Sequence, residues 1–332
     1  MSEPVPNSFG VTVSASRLIE LRQRDQLGEL RRSLRGESAL ILGDGSNVLF
    51  AADPSGPVLL NRLAGIDVLD EDEHSARLQV AAGESWDGLV DWACGRGYWG
   101  LENLALIPGR VGAAPIQNIG AYGVEFAEHC VEVEVLDEAG RLSWLTAAQC
   151  RFGYRDSLFK QTTHSLWITA VRLRLSRQPA PKLEYSGLTE ELATCTSAEL
   201  TPRRVAEAVR AIRRRKLPDP AQLGNAGSFF KNPLVTRAQW QSLQSQLPRL
   251  PAWPGAERIK LSAAFLIEAA GWKGQRRGDA GVAPGHALVL VNHGRASGAQ
   301  ILALAQDIQT DVQQRFGVWL EPEPRILGAT PN

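Results

Sequence analysis

The feature that most constrains this chain is residues 100–125, Gly100-Leu-Glu-Asn-Leu-Ala-Leu-Ile-Pro-Gly-Arg-Val-Gly-Ala-Ala-Pro-Ile-Gln-Asn-Ile-Gly-Ala-Tyr-Gly-Val-Glu125. It carries Gly109, Gly112, Gly120 and Gly123, with almost no formal charge between Glu102 and Glu125. Glycine permits positive φ and lets main chain come close to a ligand, at an entropic cost. The stretch is too glycine-rich for a helix and too apolar for a solvated loop. Two readings remain open. Main chain is laid against a large ligand, where free N–H groups form anion-binding concavities, or the glycines make tight turns in a β domain.

At 332 residues the chain has room for two or three domains, at roughly 100–200 residues each. It is 44% hydrophobic and 22% charged, ordinary for a soluble globular protein. Lys+Arg 36 balances Asp+Glu 36, so no global field draws the chain to nucleic acid or an anionic membrane. The start, Met-Ser-Glu-Pro-Val-Pro-Asn, lacks the basic and apolar regions of a signal peptide. No apolar run nears the ~20 residues needed to span a bilayer. Cys94, Cys130, Cys150 and Cys195 show no CxxC spacing and read as reduced, mostly buried thiols of a cytoplasmic protein. His74, His129, His164, His286 and His293 make no HxxxH pair, so no metal site is expected.

Local patterns give the element order. Leu27, Leu30 and Leu34 mark a helix; 39–42, 48–50, 58–60 and 78–82 read as strands. Ser85 N-caps a helix carrying Leu89, Val90 and Ala93. Strands are expected at 131–136 and 166–175, the latter with period-two alternation in 171–175. Thr201-Pro202 is an N-cap and N1-proline pair opening a helix with Val205, Val209 and Ile212 on its inner face. Residues 297–316 form the clearest helix, capped by Ser297 and ended by Gly317, and 318–320 reads as a terminal strand. Residues 236–258 read as a variable surface loop.

Several clusters carry possible chemistry. Gly43-Asp-Gly-Ser-Asn47 follows a strand, but Val48 breaks the GxGxxG pattern of a Rossmann turn. Gly43, Gly45 and Ser46 could still cradle a phosphate; a simple hairpin turn is the alternative. In Phe152-Gly-Tyr-Arg-Asp-Ser157, Arg155 is a permanent cation with a planar donor fork suited to carboxylates, unless it is spent on Asp156. Gly224-Asn-Ala-Gly-Ser-Phe-Phe-Lys-Asn-Pro233 gathers serine, ammonium and amide donors, or is a turn entering a strand at Ser228. The absence of a GxSxG elbow disfavours a hydrolase serine. Leu320-Glu-Pro-Glu-Pro-Arg325 sets two carboxylates two apart. Arg213–Lys216 lies in a helix's last turn, where the macrodipole alone favours cations; Lys216, beside the Leu-Pro break, is the best candidate for a ligand contact.

Taken in order, these blocks resemble the UDP-N-acetylenolpyruvoylglucosamine reductase family. The matching blocks are 42–49, 100–125, 150–157, Lys216-Leu-Pro-Asp-Pro220, 224–233 and Trp319-Leu-Glu-Pro-Glu323. The resemblance implies an α+β fold: a two-subdomain FAD-binding region of the vanillyl-alcohol-oxidase type (1–66 and 67–200), a C-terminal α+β substrate domain (201–326), and a tail (327–332). It implies FAD held noncovalently, NADPH as reductant, and UDP-N-acetylglucosamine enolpyruvate as substrate of a monomeric enzyme of peptidoglycan synthesis. By the same resemblance the catalytic arginine falls on Arg155, the serine acid on Ser228 and the glutamate on Glu323. Substrate contacts fall on Tyr185, Lys216 and Asn232. FAD contacts fall on Gly43, Gly45, Ser46 and Asn47, and on Pro108, Gly109, Gly112, Ala113, Ala114, Gln117, Asn118, Gly120, Ala121, Tyr122 and Gly123. Tyr185, in Leu183-Glu-Tyr-Ser-Gly-Leu188, resembles the tyrosine of the subtype that closes over the substrate diphosphate. Two departures stand out. Pro324 follows the glutamate where the family has valine, which bears on the pairing of Glu323 because proline lacks an N–H. Ala113-Ala114 replaces hydroxyl residues beside the flavin. A flavin oxidase of free sugars and a nucleotide-sugar sensor without turnover are the alternatives. The absence of His or Cys in 100–125 weighs against the first, and the set Arg155, Ser228 and Glu323 against the second.

Overall fold

A computed structural model describes residues 3–161, 166–196 and 199–329; His164 and the last three residues of the expected tail lie outside them. The chain forms two compact units. Unit 1 consists mainly of Ala15–Asp44 and Ser55–Arg215; unit 2 consists of Pro4–Ser14, Gly45–Pro54 and the chain from Lys216 onward. This division differs from the one expected at 66/67 and 200/201. Val205, Val209 and Ile212 of the Pro202–Lys216 helix are buried in one cluster with Leu78, Val171 and Leu173, so that helix packs in unit 1 rather than opening the C-terminal domain.

In unit 1 an antiparallel sheet runs in the order Leu142–Thr146, Cys130–Leu136, Trp167–Ser176, Ser75–Ala81, Ile66–Glu71. The alternation expected in 171–175 appears as buried Val171, Leu173 and Leu175 between less buried Arg172 and Arg174. The Trp86–Gly95 helix starts at Ser85, whose hydroxyl accepts from Gly88 N. A smaller parallel sheet sets Val58–Asn61 between Leu18–Leu21 and Leu40–Leu42. All four residues of the central strand are buried, as parallel pairing with covered faces requires.

Unit 2 carries an antiparallel sheet in the order Gly224–Ser228, Val289–Asn292, Ala280–Val282, Arg276–Arg277. The Gly298–Phe316 helix is closed by a Ser297/Gln300 capping box and a left-handed Gly317. Three expectations change here. The terminal strand lies at Arg325–Leu327, parallel to Val48–Phe50, not at 318–320, where Gln309 Nε2 holds the Leu320 carbonyl at 2.7 Å. Residues 236–258 are not a loop: a Thr236/Gln239 capping box opens the Arg237–Gln246 helix, and Ala252–Pro254 joins a three-stranded sheet. Ser228 ends a strand rather than beginning one. Among the described residues no helix is long and apolar enough to cross a membrane.

Candidate active site

In unit 1 the glycine-rich stretch is a strained, fixed path. Among the described residues every non-glycine with positive φ lies between Leu106 (+59°) and Arg155 (+53°), with Asn118 (+47°), Tyr122 (+49°) and Arg151 (+48°) between them. Each costs ~1–2 kcal/mol, and such residues cluster where ligands are held. At Gly120 an added Cβ would sit 3.0 Å from Arg155 Nη1 and 3.0 Å from Glu125 Cγ. Only glycine leaves room for the guanidinium, which donates from Nη2 to the Gly120 carbonyl at 2.6 Å. Asp156 is occupied elsewhere, accepting from Ser157 N at 2.9 Å and Gln161 Nε2 at 2.9 Å.

The other residues expected at FAD are placed along this path. Pro108 is exposed. Gly109 accepts from Trp86 N at 3.0 Å and Gly112 donates to the Ala82 carbonyl at 2.8 Å. Ala113 is half-buried, whereas the Ala114 methyl is core. Gln117 is half-buried, and Ala121 belongs to the Gly120–Ala121/Val124–Glu125 hairpin that Tyr122 and Gly123 close. Asn118 spends its amide on Glu125 (2.7 Å), the Gly153 carbonyl (3.1 Å) and Ala127 N (2.9 Å), so its side chain holds the stretch rather than facing a ligand. The Gly43 carbonyl accepts from Arg62 at 3.0 Å, and Arg110 grips Asp44 at 2.8 Å. The turn that follows is no hairpin: Leu40–Leu42 pairs with Val58–Asn61, and Val48–Phe50 with Arg325–Leu327. In unit 2 the Gly45 carbonyl accepts from Ser8 N (3.2 Å), that of Ser46 from Ser8 Oγ (3.2 Å), and that of Asn47 from Arg325 N (3.0 Å).

The basic end of the Pro202–Lys216 helix, read from the sequence as a macrodipole effect or a phosphate contact, holds one cation unlike its neighbours. Arg210 pairs with Asp87 (2.7 Å) and Asp91 (2.8 Å), Arg215 pairs with Glu191, and Arg214 is exposed. Arg213 is half-buried, and its buried Nε takes no partner among the described residues. Burial pulls its guanidinium below the usual value; Tyr122 and Asp87 oppose that and Arg155 adds to it. A partly buried cation with no ion pair is costly. Tyr122 stands beside it, its ring 4.9 Å from that of Tyr185 in an edge-to-face pair.

Unit 2 supplies Ser228 on a bulged strand. Asn225 opposes Val291 and Ser228 opposes Val289, leaving Ala226 and Gly227 as the bulge, with Gly227 at φ +71°. Asn225, 1% exposed, pins this bulge: it donates to the carbonyls of Pro218 (3.1 Å) and Leu223 (2.8 Å) and accepts from Gly227 N (2.9 Å). Buried Phe229 and Phe230 fix the chain beyond. The Ser228 hydroxyl is half-buried. The segment bearing Glu323 runs antiparallel to this chain, with Glu323 N donating to Phe229 O at 2.8 Å and Lys231 N to Glu321 O at 2.9 Å. Pro324 falls between the donors used, since Arg325 N reaches Asn47 O, so the proline leaves the pairing of Glu323 intact. Lys231 Nζ pairs with Glu321 at 3.0 Å. Asn232 Oδ1 accepts from Ala263 N, at the start of the Ala263–Ala269 helix, at 3.0 Å. Lys216 is exposed and lies within electrostatic reach of His286. Sequence reasoning passed over His286: burial, then Lys216 and Lys273, push its imidazole down, and its Nδ1 accepts from Leu288 N at 3.2 Å.

Known proteins were compared with these features. The FAD-binding-domain family matches residues 16–146, and the UDP-N-acetylenolpyruvoylglucosamine reductase C-terminal-domain family matches residues 219–327. A UDP-N-acetylenolpyruvoylglucosamine reductase of Chromobacterium violaceum is 49% identical over 97% of this chain and 96% of its own length. This chain belongs to that family. The enzyme of the same name from Pseudomonas aeruginosa is 48% identical, with 96% of each chain covered. The crystal structure of UDP-N-acetylenolpyruvylglucosamine reductase from Thermus caldophilus superposes with TM-score 0.65 at 29% identity, covering 98% of this chain and 99% of that one. The fold is therefore α+β, an FAD-binding domain followed by the family's C-terminal domain. The protein is a flavin-dependent oxidoreductase.

Proposed function

We propose that this protein reduces UDP-N-acetylglucosamine enolpyruvate to UDP-N-acetylmuramate for peptidoglycan synthesis, drawing electrons from NADPH through FAD, as a cytoplasmic monomer. The reading is supported above all by the main chain around Ser228: Ser228 ends a fixed bulged strand, and the Phe229 carbonyl that follows it accepts from Glu323 N. The glycine-rich stretch fits a noncovalent FAD. Small side chains at Ala113, Ala121 and Gly123 leave a rigid main chain half-exposed, and 100–125 holds no His or Cys that would tether a flavin.

Bound FAD supplies hydride to the terminal vinyl carbon of the substrate. As that carbon is reduced, negative charge builds on its neighbour and the attached carboxylate. Arg155 meets this charge with a guanidinium already oriented by Gly120, so little reorganisation is needed in the transition state. Ser228 gives its proton to the α-carbon as general acid, and Glu323 joins Arg155 in stabilising the enolate. Tyr185, Lys216 and the NH₂ of Asn232 hold the diphosphate. Arg213 adds a second cation for an anionic group of the substrate, and the strain at Tyr122 and Arg155 keeps both side chains in place.

The test is NADPH oxidation by purified protein under anaerobic conditions, with and without UDP-N-acetylglucosamine enolpyruvate. Multiple turnovers only with that substrate support the reading. A single bleaching of the flavin that the substrate does not reverse overturns it.

A further inference from the structure

Asn103 is fully buried in the short turn Glu102–Leu104. Its Nδ2 donates to two main-chain carbonyls, those of Tyr122 at 2.7 Å and Lys182 at 2.8 Å. Carbonyls only accept, so the amide nitrogen must face them. The orientation of the side chain is fixed, and its Oδ1 is left, buried, with no hydrogen bond among the described residues. A native structure tolerates such an atom where the rest of the group does something that a simpler side chain cannot.

The two carbonyls belong to different parts of unit 1. Tyr122 sits in the strained turn beside Arg213. Lys182 begins the segment that carries Tyr185, which is 47% exposed. This segment is anchored on both sides of Tyr185. On the near side the Lys182 ammonium pairs with Glu128. On the far side Leu188 is core, Thr189 Oγ1 turns back to the Leu183 carbonyl, and Glu191 pairs with Arg215. Between the anchors, the Tyr185 ring leans edge-on against Tyr122. Among the described residues Asn103 is the side chain that bonds to the backbones of both the Tyr122 turn and the Tyr185 segment.

We infer that Asn103 is a positioning residue for substrate binding, a carboxamide clasp that fixes the Tyr185 segment against the Tyr122 turn. This rests on Tyr185 being a substrate contact. Alanine has no donor at this place, aspartate would set lone pairs against both carbonyls, and glutamine is one methylene too long for the same geometry. Asn103 does not touch the reacting atoms. Its loss therefore affects how well the substrate is held rather than how fast NADPH reduces the flavin.

Steady-state kinetics of Asn103→Ala, Tyr185→Ala and the double variant, with the rate of flavin bleaching by NADPH measured alongside, decide the matter. Asn103→Ala is expected to raise KM for the enolpyruvyl substrate about tenfold, with kcat and bleaching within about threefold of wild type, and Tyr185→Ala is expected to raise KM at least as much. The double variant should be no worse than the worse single, because coupled residues acting through one contact are non-additive. Two multiplying effects, an unchanged KM in Asn103→Ala, or slowed bleaching overturn the clasp. An unchanged KM in Tyr185→Ala overturns the substrate-contact reading itself and the clasp with it. If Asn103→Ala does not fold, Asn103→Ser carries the same comparison; if neither folds with FAD bound, Asn103 is purely structural and the inference fails.

Discussion

At the scale of the residue, charge placement is the deciding quantity. Arg210 and Arg215 have carboxylates; Arg213, one turn beyond Arg210, has none within ion-pair reach among the described residues and lies near a second guanidinium. Its retention costs stability and is offset only when an anion binds. Arg213→Met should therefore leave the melting temperature unchanged or raise it, because a partly buried unpaired cation is replaced by apolar volume. The same change should raise KM for the enolpyruvyl substrate about 10- to 100-fold, the range expected for one lost charge-assisted hydrogen bond of ~1.5–3 kcal/mol. A lower melting temperature with unchanged KM would assign Arg213 to the fold. Ser228→Ala should lower turnover by ~10²–10³, the scale of losing one group that acts on the transition state, with flavin bleaching by NADPH unaffected; near wild-type turnover would remove Ser228 as the acid. Arg155, Ser228 and Glu323 were singled out because the motifs that hold them match the family in order, and their roles stand as proposals. Arg213 was not, since four consecutive basic residues differ only in which way the helix turns them, and that is settled by packing.

At the scale of the element, the bulged strand Gly224–Ser228 links two sequence blocks. Asn225 binds the Pro218 carbonyl of the Leu217-Pro-Asp-Pro220 break and the Gly227 N–H of the bulge, so the break and the serine strand form one device. Asn225→Ala leaves one donor and two acceptors without this partner, at ~1–3 kcal/mol for a buried group so stranded. It should lower the melting temperature and also lower turnover through a misplaced Ser228, while the flavin stays bound. A fall in melting temperature with full turnover would show that the bulge holds without Asn225. Helices were legible where caps mark them, as at Ser85, Thr201-Pro202 and Ser297 to Gly317. The Arg237–Gln246 helix carried the same kind of mark, Thr236-Arg-Ala-Gln239, a capping box hidden by the prolines and tryptophan that follow. The terminal strand was misplaced because Val318 and Leu320 are buried on either side of an exposed Trp319, an apolar period-two pattern, yet the Leu320 carbonyl goes to a glutamine side chain. The pairing backbone lies a few residues on, among prolines that argue against a strand.

At the scale of the whole molecule, sequence order misleads about which segments belong together. Unit 2 recruits 4–14 and 45–54 through long-range main-chain bonds, such as Asn225 N to Ser8 O (2.9 Å) and Arg325 N to Asn47 O (3.0 Å), and no local pattern announces such partners. The same packing buries one imidazole in each unit. His129 in unit 1 is held below its usual value by burial, with Lys182 adding to the fall and Glu128 opposing it. His286 in unit 2 is held down by burial, then by Lys216 and Lys273, against Glu268. In the unfolded chain both titrate near pH 6.5. Below that value the unfolded state binds more protons than the folded one, so stability is complete above pH 6.5 and is lost as pH falls toward the folded values. Most carboxylates protonate only near pH 4, which leaves pH 5–6.5 largely to the histidines. Glu102 acts in the opposite direction there, because burial raises its carboxyl and its protonation favours the folded state. The wild-type curve is therefore a sum, and the informative quantity is a difference. Melting temperature measured from pH 7.5 to 5 should fall more steeply for wild type than for His129→Gln or His286→Gln, and the double variant should be flattest. Parallel curves for wild type and both single variants would mean that neither imidazole changes its proton affinity on folding.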